Sequence, residues 1–504
     1  MNIRVLLPIL GLALSAAVPA GLDFATPTTT PAGAIEQLID REMPASGVPG
    51  LAYAVVQNGE IASAGARGVL EIGGDATVTP DTPFVIGSIS KSFTALAVMQ
   101  LVEAGEIDLD AEISRYLEVF SGRTSGAITI RQLLSHTSGF STGQGNAPHP
   151  GALEEKDALA HGVAQLAEAT PAHEPGSTWE YSNANYEILG RLIEVVSGED
   201  YQTYVTARIL EPVGMHDSFV ADGEVHDPVA TGHVPWFGTK VPLADGPTDR
   251  ATAPQGGIFA SANDIARYLQ MMMNDEDDVL SADGKAQMMR PASEVSSFYG
   301  FGWYLESDGA VWHTGVSPGV ETLATMIPAE KDAVIVLVNA GSGMGFEETA
   351  ALRVGVSDTA LGLDYDGGSP AWSLQLLFLG LVTLPIVYLL SMVWAWLRRT
   401  KIRAKTRSGA PGLFSLWFPL LTTTAAAWVL LGLVPSLNGT PLMRWALFQP
   451  DVVLAIVASA VTGVIWAGFR LVVAYTGRPN PPVSETGSST VVSDPSQPER
   501  LRRT

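Results

Sequence analysis

Ser88 and Lys91 lie three residues apart in the segment GSISKSFTA, at the start of a run that predicts a helix to about Ala104. Residues i and i+3 of a helix share a face, so the hydroxyl and the amine point the same way. Unpaired amides at the helix N-terminus favour negative charge at Ser88, and a desolvated lysine can take its proton. The pair therefore predicts a nucleophile and its base, although this spacing alone more often gives a helix cap and a surface charge.

Two further motifs bring the other groups that acyl transfer requires. The tripeptide Tyr-Ser-Asn at 181–183 stands just ahead of a predicted helix, and His-Thr-Gly at 313–315 lies on a predicted strand. Acyl transfer needs a nucleophile, a base, a proton donor and paired hydrogen-bond donors for the tetrahedral oxyanion. The patterns S-x-x-K, Y-x-N and Lys/His-Thr/Ser-Gly each occur once in the chain, in that order. Together they favour a catalytic serine.

In kind and order, the three motifs resemble those of the serine β-lactamase and penicillin-binding-protein superfamily. The chain is most similar to the class C and D,D-peptidase-like hydrolases of peptidase S12 type. The phrases LLSHTSGF, PGSTWEYSN and HTGVSPG also look like this family, and the resemblance extends from about Ile35 to Gly362. It implies that Ser88 is the acylated nucleophile, that Lys91 accepts its proton, and that Tyr181 passes a proton to the leaving group.

The same resemblance implies a set of substrate-binding groups. Asn183 would hold the substrate amide, and His313 and Thr314 lie on the strand that would dock the substrate. The backbone N–H groups of Ser88 and Val316 would form the oxyanion hole.

His313 departs from the lysine that many β-lactamases and D,D-peptidases carry at this position. A lysine ammonium is a fixed positive charge that attracts a substrate carboxylate. Histidine, with an ordinary pKa near ~6.5, is largely neutral above about pH 7. We therefore expect weak recognition of carboxylates and a preference for substrates whose reacting end lacks one.

The other aromatic and histidine residues near the motifs predict structural roles. His136 in LLSHTSGF resembles a catalytic base by type only, because the family's chemistry uses no histidine there. Trp179, Trp303 and Tyr186 are expected in the core or the cleft wall. The sequence has no His/Glu cluster with the spacing of zinc peptidases, so we expect no metal and no cofactor.

The elements that position these motifs follow a simple pattern within residues 34–365, which we interpret as one hydrolase domain. The segment LAYAVVQNGEIASAGARGV predicts two strands joined at an Asn-Gly turn. Helical spacing dominates the middle, as in YEILGRLIEVVSG, and strands return in AVWHTG, ETLATMIP and AVIVLVNAG. This pattern predicts an α+β fold: an antiparallel sheet built from both termini and flanked by helices, with an inserted helical lobe.

Charge is divided unevenly along the chain. From Ala371 onward there are 12 Lys and Arg against 4 Asp and Glu, whereas the preceding part carries 17 against 48. An acidic body argues against nucleic-acid binding, which requires clustered Lys and Arg. The absence of cysteine excludes disulfides, thiolate metal sites and a cysteine nucleophile.

The two ends of the chain predict export and membrane anchoring. Residues 1–20 have the basic start, short apolar run and small-residue cleavage site of a signal peptide. Three later segments are long enough to cross a bilayer as helices: 373–397, 413–434 and 452–473. The connection RRTKIRAKTR is strongly basic and therefore cytoplasmic, which leaves the hydrolase domain on the external side. The Pro-, Ser- and Thr-rich segment 479–504 predicts a disordered cytoplasmic tail.

These features predict a membrane-anchored, externally facing serine hydrolase that acts through an acyl-enzyme on an ester or amide. Its partners would be a small-molecule or peptide substrate and the lipid bilayer, with the oligomeric state left open. The alternatives are a β-lactamase, a D,D-carboxypeptidase or a prodrug-activating acyl-D-Asn peptidase, because one fold hosts all these activities. A non-catalytic membrane receptor on a hydrolase fold is the alternative from a different class.

Overall fold

The computed structural model describes residues 31–147, 155–244, 246–363, 365, 371–437 and 439–476. The described residues up to 365 form one compact unit, and those from 371 onward form a second. The predicted signal peptide at 1–20 and the predicted tail at 479–504 lie outside the described residues.

The first unit is built around an antiparallel sheet. Its strands are β1 (Gly50–Gln57), β2 (Glu60–Gly68), β3 (Phe84–Val85), β4 (Phe219–Val220), β5 (His233–Trp236), β6 (Thr239–Pro242), β7 (Ile258–Ala260), β8 (Tyr304–Leu305), β9 (Val311–Ser317), β10 (Val320–Ile327) and β11 (Asp332–Val338). Six of them form the main sheet in the order β2-β1-β11-β10-β9-β8. The prediction of an antiparallel sheet from both ends of the domain is confirmed. The other strands form a three-stranded sheet, β3-β7-β4, and the hairpin β5-β6.

Helices flank this sheet and fill the middle of the unit. They are α1 (Pro31–Ser46), α2 (Ser90–Glu103), α3 (Ile130–Leu134), α4 (Thr142–Gly145), α5 (Ala158–Glu168), α6 (Asn183–Ser197), α7 (Tyr201–Val205), α8 (Glu211–Val213), α9 (Ala253–Gly256), α10 (Ala262–Met273), α11 (Ala282–Met288) and α12 (Glu348–Ala360). A π-helical segment, Thr206–Leu210, follows α7. The α+β class and the inserted helical lobe agree with the prediction.

Alternate side chains of β1 explain why helices cover both faces of the sheet. Leu51, Tyr53 and Val55 belong to the core shared with α1 and α12. The intervening residues, Ala52 and Ala54 among them, belong to the larger core that contains α2 and α10. Because successive side chains of a strand point to opposite faces, a strand buried on both sides is apolar throughout.

Helix α2 runs through the larger core and carries the first motif. Eleven of its 14 residues are buried, as expected for a helix that is apolar all round. It begins two residues later than predicted, because Gly87–Ile89 forms a 3₁₀ turn that leads into it. Such tighter turns are common at helix N-termini.

The second unit is helical and apolar. Its elements are α13 (Trp372–Leu397), α14 (Arg399–Ala404), α15 (Gly409–Trp428), the π-helical segment Val429–Leu433, α16 (Val434–Leu437), α17 (Leu442–Phe448) and α18 (Pro450–Tyr475). Three stretches are long and apolar enough to cross a membrane: Trp372–Leu397, Gly409–Leu437 and Pro450–Tyr475, with mean hydropathies of 2.4, 1.7 and 2.3. Each contains one of the predicted spans.

Candidate active site

Ser88 lies in the 3₁₀ turn ahead of α2, partly exposed between two buried neighbours. The preceding residue, Gly87, has a φ of +57°, in the left-handed region that favours glycine. A Cβ added to Gly87 would stand 2.7 Å from the backbone nitrogen of Val316. A side chain at this position would therefore push β9 away from the serine.

Lys91 is fully buried directly behind Ser88. Its Nζ donates to Ser88 Oγ at 3.0 Å and to the Gln255 carbonyl at 2.6 Å. Burial lowers the pKa of Lys91 well below 10.5, and the nearby Glu187 carboxylate only partly opposes this. An amine with a lowered pKa is free to accept a proton, so the arrangement suits a general base acting on the serine hydroxyl.

Tyr181 lies on the other side of the lysine, with its ring centroid 4.9 Å from Lys91 Nζ. Burial raises the pKa of Tyr181 well above 10, with a contribution from Tyr304, and a hydrogen bond with Ser88 partly opposes the shift. The phenol therefore keeps its proton at neutral pH. It can donate that proton to a leaving group.

His136 holds the chain that follows Tyr181 in place through hydrogen bonds. The residue is fully buried with a φ of +58°. Its Nδ1 accepts from the Ser182 N–H at 3.2 Å and from Asn185 Nδ2 at 2.9 Å, which requires a neutral ring with the proton on Nε2. Burial, and then the charges of Lys91 and His313, lower its pKa well below 6.5. This geometry agrees with the expected structural role.

Asn183 is the first residue of α6 and lies partly exposed next to the tyrosine. Its Nδ2 donates to Asn146 Oδ1 at 3.2 Å, whereas its Oδ1 is buried with no hydrogen-bond partner among the described residues. A buried carbonyl without a donor is costly. An oxygen without a partner is compatible with the role predicted for Asn183, holding the substrate amide, and that role stays a prediction.

Strand β9 approaches the serine through another glycine. A Cβ at Gly315 would stand 1.9 Å from the Ile86 carbonyl oxygen, which also accepts from Thr322 Oγ1 at 2.9 Å. This close approach, together with that at Gly87, brings the backbone nitrogen of Val316 to the turn that holds Ser88. The backbone N–H groups of Ser88 and Val316 are the pair predicted for the oxyanion hole.

The outer edge of β9 is covered over only part of its length. The register joins β8 to Val311 and Trp312, so the edge from residue 313 to 317 extends beyond the last β8 partner. Thr314 lies on that stretch, half-buried. An extended substrate could add to this edge as a further strand.

The sequence predicted a neutral His313 from the ordinary pKa of histidine. The structure adds a stronger reason, which is burial. The residue is 1% exposed, and burial, followed by the charge of Lys91, lowers its pKa to about 3. Its Nδ1 donates to the Thr314 carbonyl at 2.6 Å, and its Nε2 lies 3.3 Å from Tyr299 Oη. The imidazole presents almost no surface to solvent, so direct contact with substrate stays a prediction.

Comparison with known proteins agrees with this geometry. A family model described as beta-lactamase matches residues 35–357, well over half of the chain. The chain belongs to the beta-lactamase family. Among curated proteins it is 32% identical to Penicillin-binding protein 4 of Amycolatopsis lactamdurans, over 59% of this chain and 83% of that protein. It is 26% identical to protein flp of Staphylococcus aureus, over 61% of this chain, and spans 63% of the length of flp.

A solved structure shows the same fold. The octameric penicillin-binding protein homologue from Pyrococcus abyssi superposes with a TM-score of 0.58 at 26% identity, covering 66% of this chain and 78% of that one. The residues matched by the family model, 35–357, include all three motifs of this beta-lactamase-family site.

Several residues around the site were missed by sequence reasoning. Gln255 contributes only a carbonyl, and a backbone group leaves no signature in residue type. Tyr299 and Tyr304 lie in the segment FYGFGWYLES, outside the three motifs. A signal was present in the glycines of that segment: a Cβ at Gly302, whose φ is +77°, would stand 2.7 Å from the Cα of Ser92. A glycine needed for contact with α2 marks a segment that packs against the catalytic helix.

Of the three aromatic residues that were expected in the core or the cleft wall, two lie in the core and one lies beside the site. Trp303 and Tyr186 are fully buried, and Tyr186 Oη donates to the Leu134 carbonyl at 2.9 Å. Trp179 is half-buried beside the tyrosine motif and belongs to the wall of the cleft.

In the described part of the chain, no group of three or more His, Asp or Glu side chains is arranged to hold a metal ion. The expectation that the enzyme uses no metal or other cofactor stays a prediction.

Proposed function

We propose that this protein is a serine hydrolase that forms an acyl-enzyme at Ser88 on an ester or amide substrate. The observation that carries the proposal is the 3.0 Å contact between Ser88 Oγ and the fully buried Nζ of Lys91. A structural lysine would gain nothing from a site that lowers its pKa, whereas a general base requires it.

The proposed acylation step uses four groups. Lys91 takes the proton of Ser88 as Oγ forms a bond to the substrate carbonyl carbon. The carbonyl oxygen becomes an oxyanion held by the N–H groups of Ser88 and Val316. The bond to the leaving group then breaks as Tyr181 gives that group a proton, and the tyrosine regains a proton from Lys91. Water later attacks the acyl carbon and releases the acid.

The substrate class follows from the absence of a positive charge at His313 on β9, the strand that is predicted to dock the substrate. His313 is neutral at any pH above about 5, because its pKa is lowered to about 3. Without a cation at this position, a substrate carboxylate gains little attraction. We propose that simple esters or N-acylated amides are preferred over cephalosporins and D-alanine-terminated peptides.

A second candidate is supported by the similarity to Penicillin-binding protein 4, 32% identical over 83% of its length. The β-lactam ring is an activated amide, and a penicillin could acylate Ser88. In this alternative the chain would be a β-lactamase or a D,D-carboxypeptidase, with substrate attraction supplied elsewhere than at His313.

Covalent labelling tests the proposal directly. A fluorophosphonate probe should label the full chain in detergent, and Ser88→Ala should abolish the label. Ser92→Ala is the matched control, because Ser92 lies one turn further along, in α2, and its hydroxyl donates to the Ile89 carbonyl. Labelling that persists in Ser88→Ala would show that another residue is the nucleophile. Comparing esters, acyl-D-Asn peptides, D-alanine peptides and a chromogenic cephalosporin then separates the candidate activities.

We also propose that residues 371–476 anchor the enzyme and that the hydrolase domain faces outward. The support is three stretches with hydropathies of 1.7 to 2.4 and the basic connection Arg398–Arg407 after the first of them. Protease added to spheroplasts should digest the domain and spare that connection. Digestion of the connection in intact spheroplasts would reverse the topology.

A further inference from the structure

Tyr304 stands where the pairing of β9 stops. It opens β8 and lies directly opposite Trp312 in the register. The two rings stack with centroids 4.7 Å apart and planes 16° from parallel. The Tyr304 ring also lies 5.2 Å from the ring of His313 and meets Tyr299 edge-on at 4.8 Å. These contacts hold the phenol rigidly at one end of the open edge.

Trp179 continues this surface next to Tyr304. Its ring lies 6.3 Å from that of Tyr304 and meets Phe298 edge-on at 4.9 Å. Phe298 is 43% exposed. The indole nitrogen of Trp179 has no hydrogen-bond partner within the described residues. Trp179, Phe298 and Tyr304 form what we call the aromatic wall.

The wall lies next to the proton donor. The ring of His313 lies between the two, with its centroid 6.3 Å from that of Tyr181 and 5.2 Å from that of Tyr304. A leaving atom that takes the proton of Tyr181 must lie within about 3 Å of its hydroxyl. The substituent carried by that atom therefore meets the side chains next to Tyr181. It does not meet the acyl side of the cleft.

The contacts around the wall offer no positive charge to an anionic leaving group. His313 is neutral, and the indole N–H of Trp312, on the far side of Tyr304, donates to Glu306 at 2.9 Å. No Lys or Arg side chain takes part in the ring contacts that hold the wall. Aromatic faces without a charged partner favour flat, apolar groups.

We propose that the aromatic wall binds the leaving-group portion of the substrate and selects uncharged, apolar or aromatic leaving groups. This deepens the proposed function and rests on it, because a leaving group is defined only by acyl transfer to Ser88. Two esters of one acid with leaving alcohols of similar acidity isolate this effect, since the acyl chemistry is then the same.

The experiment compares benzyl butyrate with ethyl butyrate, using the full chain in detergent. The wild type should favour the benzyl ester in kcat/KM. Tyr304→Ala and Trp179→Ala should each lower the benzyl-to-ethyl ratio by about fivefold, the value of one aromatic contact. Tyr304→Phe should keep the ratio, because the ring and not the hydroxyl makes the contact. If Tyr304→Ala does not fold, Tyr304→Leu replaces it with less loss of volume.

Trp236→Ala is the matched control, since this tryptophan is 40% exposed on β5 and outside the wall. It should leave the ratio unchanged. A second ratio, ethyl phenylacetate to ethyl acetate, changes only the acyl group and should move less than twofold in Tyr304→Ala.

The outcomes separate the two proposals. A benzyl-to-ethyl ratio that stays constant in Tyr304→Ala, with Ser88 still labelled by fluorophosphonate, would overturn the inference alone. If Tyr304→Ala changes only the ratio of ethyl phenylacetate to ethyl acetate, the wall contacts the acyl group. That result would also overturn the inference. Absence of both labelling and ester hydrolysis in the wild type would refute the proposed function itself, and the inference with it.

Discussion

Helices α2 and α18 are both rich in apolar residues, yet they are surrounded differently. In α2, 11 of 14 residues are buried within the hydrolase domain. In α18, 26 residues long, only 39% of the most apolar window is buried. Its exposed apolar side chains include Leu454, Val457, Val461, Ile465 and Val472. Composition alone does not separate a core helix from a membrane helix. Length does, because only the longer one can cross the hydrocarbon core.

The ionisable residues of α2 and α18 also lie in different surroundings. Lys91 lies within α2, fully buried and with a lowered pKa. In α18 the acid and the base lie near opposite ends of the helix, at Asp451 and Arg470. A buried ionisable group is costly and is retained where chemistry needs it. The comparison therefore supports the proposed roles of α2 in catalysis and of α18 in anchoring.

The largest expected effect comes from removing the buried amine. Lys91→Met should lower the rate of Ser88 acylation by about 10³-fold or more, because the hydroxyl loses its base. The same change should raise the free energy of unfolding, on the order of 1–4 kcal/mol, because an apolar side chain fits the core better than a desolvated amine. Stopped-flow acylation and denaturant titration measure the two effects.

The stability gain should depend on pH with a definite sign. Between the lowered pKa of Lys91 in the folded protein and its ordinary value of 10.5, unfolding takes up a proton, so wild-type stability rises with pH there. The advantage of Lys91→Met should therefore be largest at the low end of that window and disappear above pH 10.5. An advantage independent of pH would mean that the amine is charged in the folded protein.

Activity should follow the same ionisation. The value of kcat/KM should rise about tenfold per pH unit until Lys91 is neutral, and then level off. His313, with its pKa lowered to about 3, should add no step above about pH 5. Tyr181 should keep the plateau flat to beyond pH 10 because its pKa is raised. A step near pH 6.5 that His313→Gln removes would contradict the burial of that imidazole.

A smaller effect is expected when a positive charge is introduced on β9 at position 313. His313→Lys should narrow the gap between ester and cephalosporin turnover by about tenfold, since a charge-assisted contact with a carboxylate contributes about 1–2 kcal/mol. His313→Gln is the neutral control and should leave the gap as it is. Efficient cephalosporin turnover by the wild type would instead favour the β-lactamase alternative.

The smallest effect should come from removing the anchor. A chain ending at Pro370 should remain soluble without detergent and keep kcat/KM within about threefold, because the hydrolase domain is a compact unit with its own core. Steady-state kinetics of the two forms on the same ester measure the change. A loss above tenfold would show that catalysis depends on the second unit.

Much of the fold was predictable because its signals are local. The Asn-Gly turn between β1 and β2 is confirmed, with φ of +51° at Asn58 and +81° at Gly59. The spans after residue 371 were predictable because membrane crossing depends on length and hydropathy alone. The boundary at Ser88 was less accurate, since the 3₁₀ turn depends on contact between Gly87 and a strand far along the chain.

The sequence by itself determined which residues are proposed for the chemistry, because nucleophile, base and proton donor are properties of side-chain type and of three short motifs. Only the tertiary structure decided their ionisation and their surroundings. Lys91 meets the Gln255 carbonyl across 164 positions of sequence, and His313 is neutral because Tyr304, Tyr299 and Tyr181 pack around it. Burial and distance set a pKa and shape a cleft. Both depend on contacts between segments that local sequence patterns do not relate.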